Sequence, residues 1–413
     1  MLLVLLAAAL LPGCGSSSGP KSADAPLRFW NGFTGPDGKT MERMVRNFER
    51  ETGIRVDMQI IPWATYYDKV VLTLAFSDAP DVFICHANQM PMFAKYGKLH
   101  SLNALMSGPQ GLPDSDFMEL PWKAVHYGGQ QLGLPLDAHP LGLYYNRTMF
   151  EKAGIVDGHG QAKPPTTWDE FLADARKLTL RDTGGKVTQW GFTFTNLRSN
   201  WYTFLRQFGG NVLSADQKRC ELTSPQSLAA SERMHDLIDK YRVSPKPEGF
   251  DAWEGFRKGQ VAMIMEGIYM LSGLEEQKGL RYGGAPVPLF GTQRAAWGGS
   301  HVLVMPVNEP PERVDKVWRF MKYLSDHSLE WARGGQTPIR KSLIASPVFR
   351  TMPIQRAFAT QVPYLSYEPL TVVGNEIAPF FDAAVQSMLI DVRTVPQAMK
   401  RANRQIQTVL NRS

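Results

Sequence analysis

From residue 27 onward the apolar positions of the chain alternate between the rhythm of strands and that of helices. Residues 27–30 form a short apolar run that reads as a strand, and Met41, Met44, Val45 and Phe48 then recur at the spacing of one helix face after a Gly-rich turn at 32–38. Gly53 is placed to stop that helix. Val56, Met58 and Ile60 alternate as a second strand, Tyr67, Val70, Val71 and Leu74 mark a second helix, and residues 81–85 read as a short buried strand. The pattern predicts a β-α-β-α-β unit, which is how a parallel sheet covered by helices is written.

The run Pro135-Leu136-Asp137-Ala138-His139-Pro140 predicts a stiff crossing into a second unit, whose first strand is expected over 141–145. Within that unit, helices are predicted over 168–178 and 228–241, and strands over 190–195 and 261–265. Trp297-Gly298-Gly299-Ser300-His301 leads into a strand over 302–305 and a helix around 317–324, read as a return to the first unit. From Asn375, a helix face carries Ile377, Phe380, Ala384, Val385 and Met388, and a last amphipathic helix runs through Ile406 and Leu410.

A chain of 413 residues is too long for one ordinary core, so two lobes of roughly 150 to 200 residues, with a cleft between them, are expected. With 43% hydrophobic and 20% charged residues the composition is that of a globular protein. The formal net charge of +6 comes from Lys and Arg scattered along the chain, without the basic block a nucleic-acid footprint needs. Residues 2–11 are continuously apolar, too short for the ~20 residues of a membrane-spanning helix and suited to a signal-peptide core. The following Leu11-Pro12-Gly13-Cys14 resembles a bacterial lipobox, which implies lipidation of Cys14, and residues 15–22 are rich in Ser and Gly, as a tether is. A processed signal with an incidental cysteine is the alternative. Cys85 and Cys220 fall in different expected lobes, which argues against a disulfide, and neither spacing suggests a metal site.

Several segments together carry a family resemblance: FWNGFTGPDGKTMERMVRNFERETGIRV from residue 29, APDVF from 79, LPLDAHPLGLYYN from 134 with MFEKAGI from 149, PPTTWDEF from 164, WEGFRKGQVAMIMEG from 253, and WGGSHVLVMP from 297 followed by GGQTPIRKS from 334. In this order and at these intervals the chain resembles the ABC-importer extracellular solute-binding proteins that include the maltose and glycerophosphate receptors. The resemblance implies a two-lobe α/β periplasmic-binding-protein fold with hinge crossings and an interlobe ligand cleft. It implies residues 1–24 as signal peptide, lipobox and tether, residues 25–138 plus 300–336 as lobe one, and residues 139–299 plus 337–413 as lobe two. The expected function is capture of a sugar or oligosaccharide for delivery to ABC permease subunits. The expected protein is a monomer, lipid-anchored on the periplasmic or extracellular face of a bacterial membrane, with no nucleic-acid partner and no cofactor.

A sugar site needs aromatic platforms and fixed donors and acceptors. On the family pattern Trp30, Asn31 and Thr34 follow the first strand toward ligand, and Tyr67 matches a ligand-meeting tyrosine; for Trp30 and Tyr67 a place in the core is the competing reading. His86 follows the buried strand at its carboxyl end, where ligands of open α/β sheets bind. His139 sits at the first crossing with Asp137 two residues earlier on the same side of an extended chain. Trp201 stands where the maltose receptor stacks an aromatic, with Asn196 and Arg198 as polar partners, or else belongs to the lobe-two core. Glu266 ends another strand, Trp297, Gly298 and Gly299 form the second crossing, and Gln336 lies in the third. Phe380 stands where the glycerophosphate receptor has a phosphate-gripping arginine, which favours a neutral sugar over a glycerophosphodiester or related ligand.

The rival class is an enzyme. His86, His139 and His301 with Asp137 and Glu266 gather on paper as metal ligands or acid/base groups, and Asp137 with Glu266 as a glycosidase pair. No HExxH, GxSxG, phosphate-loop or CxxC pattern is present, so neither catalysis nor a metal is expected.

Overall fold

The computed structural model describes residue 22 and residues 24–76, 78–307 and 310–412; the expectations for residues 1–20, Cys14 included, lie outside them. The first helix, Gly38–Thr52, buries Met41, Met44, Val45 and Phe48, and Gly53 ends it at φ 72° with its N–H donated to the Glu49 carbonyl. Strand Leu27–Asn31 lies parallel to Val56–Ile60 on one side and Val82–His86 on the other. Strand His301–Val304 joins antiparallel to Val82–His86, and Leu134–Pro135 completes a five-stranded sheet.

The second helix, Trp63–Ala75, corrects one expected face. Tyr66, Val70 and Leu74 are its buried residues, whereas Val71 is 44% exposed. The Tyr66 hydroxyl reaches the carbonyls of Trp30 and Ile84 and so ties the helix to the sheet. Beneath the sheet, Arg313 forms an ion pair with Asp81 at 2.6 Å and reaches the carbonyls of Ser22, Ala25 and Pro26. Both charged side chains are buried, so each compensates the desolvation of the other.

The second sheet is organised by one strand, Asp137–Asn146, all ten of whose residues are buried. Its start pairs with Thr337–Pro338, His139 and Pro140 pair with Gly299 and Gly298, and the remainder lies between Val261–Gly267 and Tyr282–Ala285. The strand thus begins four residues before the sequence pattern predicts. The crossing at 137–140 is itself sheet, because its polar side chains find partners in the hinge instead of water.

Chain passes between the lobes at three places: after Leu134–Pro135, between Ala296–Gly299 and His301–Val304, and before Thr337–Pro338. One expected boundary needs correction. The Met118 N–H bonds to the Ile339 carbonyl, and Arg340 and Ser342 bond to Asp116, so residues 339–342 pack on lobe one. The helix expected over 228–241 is Pro225–Asp236, started by the Ser224 side chain accepting from Ser227 N–H. In Gly374–Leu389 the buried aromatic is Phe381, with Phe380 only partly buried. Cys85 and Cys220 are both free and buried. No helix among the described residues is long and apolar enough to cross a membrane.

Candidate functional site

Strands of both sheets end at the cleft, and there the chain leaves a cavity of about 500 Å³. Lobe one contributes Asp37 at the start of the first helix, Trp63 and Tyr67 from the second, His86 at the end of strand Val82–His86, and Asn88 and Gln89 just beyond it. Lobe two contributes Arg198, Tyr269, Trp297, Tyr367, Glu368 and Asn375. His139, Gly298, Gly299 and His301 form the hinge side.

Asp137 organises this floor from behind. Its carboxylate accepts from the His301 N–H at 3.0 Å, the Trp331 indole N–H at 2.6 Å, and the Nδ1 sides of His301 and His139 at 2.7 and 3.3 Å. Burial alone would raise its pKa; the charge of His301 and the hydrogen bonds from both histidines overcome that and hold it well below the usual range. Burial, followed by repulsion from His301, pushes the pKa of His86 and of His139 down. Tyr67 accepts the His86 backbone N–H at 2.9 Å and sits 2.6 Å from its Nδ1. Trp63 lies over His86 with centroids 4.4 Å apart.

Gly299 of the second crossing serves this packing, whereas its neighbour Gly298 lies against Leu365. A Cβ on Gly299 would come within 2.3 Å of His139 Nε2, so only glycine leaves room for the imidazole.

A family model described as bacterial extracellular solute-binding protein matches residues 33–328. The chain belongs to that family. Among curated relatives, this solute-binding protein is similar to the maltooligosaccharide ABC transporter solute-binding lipoprotein of Streptococcus pneumoniae (strain ATCC BAA-255 / R6). The two are 25% identical, over 73% of this chain and 70% of the relative. Its fold is similar to the ABC substrate-binding protein of Listeria monocytogenes in complex with cycloalternan, with TM-score 0.81, 22% identity, and coverage of 94% and 99% of the two chains. It is also similar to a solute-binding protein of Thermotoga lettingae bound with α-D-tagatose, with TM-score 0.79, 26% identity, and coverage of 93% and 99%.

Of the residues singled out from sequence, Thr34, Tyr67, His86, His139, Arg198, Trp297, Gly298 and Gly299 line the cavity of this solute-binding protein. Others do not. Trp30 faces the second helix in the core, with the Lys69 ammonium 4.7 Å from its ring. Asn31 is fully buried and its side chain accepts the Phe33 N–H. Trp201 is core: it stacks on Phe381 and donates its indole N–H to Ser231. Asp137 and Gln336 stand behind the lining, Gln336 donating to Asp37 at 3.2 Å. Glu266 faces an adjoining cavity and accepts from the hydroxyl of Tyr269, which lines both cavities.

Several cavity residues were missed in the sequence. Trp63 was readable, since it lies four residues before Tyr67 on the same helix face. Asp37, Glu368 and Tyr367 come from loops or a helix entry with no periodic signal. Glu368 accepts from the Trp297 indole at 3.1 Å and from Asn88 at 3.3 Å, and burial pushes its pKa up. Arg198 is held by Asp382 through paired hydrogen bonds and lies 3.6 Å from Glu368.

The lobes touch across the cleft mouth. Gln89 and Asn375 exchange side-chain amide hydrogen bonds at 2.7 and 2.8 Å, and Lys39 meets Glu276 at 3.3 Å.

Proposed function

We propose that this solute-binding protein captures a sugar or oligosaccharide between its lobes and delivers it unaltered to an ABC permease. One observation carries the reading: the cavity sets the aromatic faces of Trp63, Tyr67 and Trp297 against the polar groups of Asp37, Asn88, Gln89 and Glu368. Ring faces and hydroxyl edges of a sugar match that set. The sugars named for the relative and for the two neighbouring structures support it.

A glycerophosphodiester fits less well. Arg198 is the only Lys or Arg among the described lining residues and is already engaged by Asp382 and Glu368, so a phosphate finds no spare guanidinium or ammonium there. On this reading residues 1–24 are signal peptide, lipobox and tether, lobe one comprises residues 25–138 and 300–336, lobe two residues 139–299 and 337–413 with 339–342 packed on lobe one, and the protein is a monomer anchored through lipidated Cys14.

Thermal unfolding against mono- and oligosaccharides, polyols and glycerophosphodiesters tests it. A ligand at a hundredfold excess over its dissociation constant stabilises the native state by about 2.7 kcal/mol. A selective rise with one sugar class, with the sugar recovered unchanged, is the expected result. A response to phosphodiesters alone overturns the sugar assignment, and release of altered sugar overturns the receptor reading.

A further inference from the structure

The floor of the cleft carries more than hydroxyl recognition requires. His86, His139 and His301 arrive from three separate segments: the end of a lobe-one strand, the first crossing and the second. Each offers one ring nitrogen, and the three nitrogens lie within 4.8 Å of one another. The ring centroids are 4.3 Å apart for His139 and His301, 5.0 Å for His86 and His301, and 5.8 Å for His86 and His139. Nitrogen ligands at about 2.0–2.1 Å from a tetrahedral ion stand roughly 3.4 Å from each other, so modest side-chain rotations close the set.

The far sides of the rings are fixed as ligating histidines require. Asp137 faces Nδ1 of both His139 and His301, and its other partners are donors too. Each Nδ1–H therefore points at the carboxylate, so that in the neutral ring, the form a metal ion binds, the lone pair is on Nε2. The Tyr67 oxygen has a second lone pair for His86 Nδ1–H besides the backbone N–H it already accepts. Carboxylate or hydroxyl partners behind metal-bound imidazoles set the tautomer in this way. The three rings also line the open cavity, so an ion among them has a route in and a position free of protein ligands.

We propose that His86, His139 and His301 bind one divalent transition-metal ion of the zinc class at the floor of the cleft, with a coordination position open to an oxygen of the captured ligand. Asp137 is a positioning residue. The metal site stands on the histidine geometry alone; only the open position rests on the sugar reading.

The test uses the full-length protein stripped with a chelator and titrated with Zn²⁺ by calorimetry and with Co²⁺ by visible absorption. One equivalent per chain and the intense visible bands of a four-coordinate Co²⁺ ion are expected. His86→Gln and His301→Gln each abolish both signals, and Asp137→Asn weakens binding about 10- to 100-fold. Unchanged unfolding of the chelated His86→Gln protein shows that the loss is not a failure to fold. Absence of a one-to-one site, or a site that survives both histidine replacements through surface residues such as His126 or His159, overturns the proposal. Sugar affinity measured with metal and with chelator separates its two parts: a metal-dependent affinity supports the open position, and equal affinities overturn that clause while the titration still decides the site.

Discussion

Asp37→Asn is expected to stabilise the protein at neutral pH while weakening its hold on ligand. Asp37 is only 6% exposed, and burial raises its pKa from 3.8 to about 6; attraction to His301 offsets part of that rise and repulsion from Asp137 adds to it. Tyr269 also faces it, and Gln336 supplies one hydrogen bond. In the unfolded chain the carboxyl loses its proton near 3.8, in the native protein near 6. Between those values the native state holds a proton that the unfolded state lacks, so stability falls as pH rises through the window. Above about pH 6 the penalty is complete, about 3 kcal/mol at 1.4 kcal/mol for each pH unit between the two values. Asparagine keeps the shape and an acceptor for Gln336 but has no charge to bury. Urea unfolding of both proteins from pH 4 to 8 therefore diverges: near equality at pH 4, the variant ahead by about 3 kcal/mol at pH 8. Loss of a charged acceptor in the cavity costs about 1.5–3 kcal/mol of binding, roughly ten- to hundredfold in affinity. A stability difference that does not change with pH, or a variant less stable at pH 8, refutes the reasoning.

Arg313→Ala removes the cation paired with the buried Asp81 carboxylate, which also accepts the Arg28 N–H, and is expected to lower the unfolding free energy by about 3–5 kcal/mol in a urea titration. Trp63→Ala removes an aromatic face from the cavity; calorimetry is expected to find sugar affinity about tenfold weaker, or about 1.4 kcal/mol. Trp201→Phe loses the indole bond to Ser231 and is expected to cost about 1 kcal/mol of stability with ligand affinity unchanged. A fall in affinity there would return Trp201 to the site.

Amphipathic helices were the most readable part of the fold, because burial of one face writes its period into the sequence. Met41, Met44, Val45 and Phe48 lie inside as their spacing predicts. The start of the long strand Asp137–Asn146 was hidden, since Asp137, His139 and Pro140 break the apolar pattern and are buried by tertiary partners that a local reading does not see. The same logic divides the site. His86 and His139 were legible because they sit at a strand's carboxyl end and at a crossing. Trp201 misled because helix Leu197–Gln207 is buried on nearly every side, so an aromatic there belongs to the core. Trp30 misled because neighbouring strand residues face opposite layers, and its side faces Tyr66 and Val70. Glu368 and Asp37 left no trace, since a carboxylate outside a periodic element looks like any solvated charge until the fold encloses it.

Two of the contacts between the lobes, Gln89 with Asn375 and Lys39 with Glu276, lie at the lip of the cleft and are of the kind that water replaces at small loss; Asn88 with Glu368 is a further one, deeper in. A neutral hydrogen bond nets about 0.5–1.5 kcal/mol and an exposed ion pair about 0.2–1. The lip by itself is therefore a weakly biased switch. Swinging such a switch from one part in a hundred to ninety-nine takes about 5.5 kcal/mol of preference for one state, more than these rim bonds supply and within reach of a cargo gripped from both sides. The rim thus sets the background of false reports, in which an unloaded molecule presents itself as loaded. Strengthening it, by exchanging amides for a buried apolar clasp, would yield a tighter trap and a worse messenger.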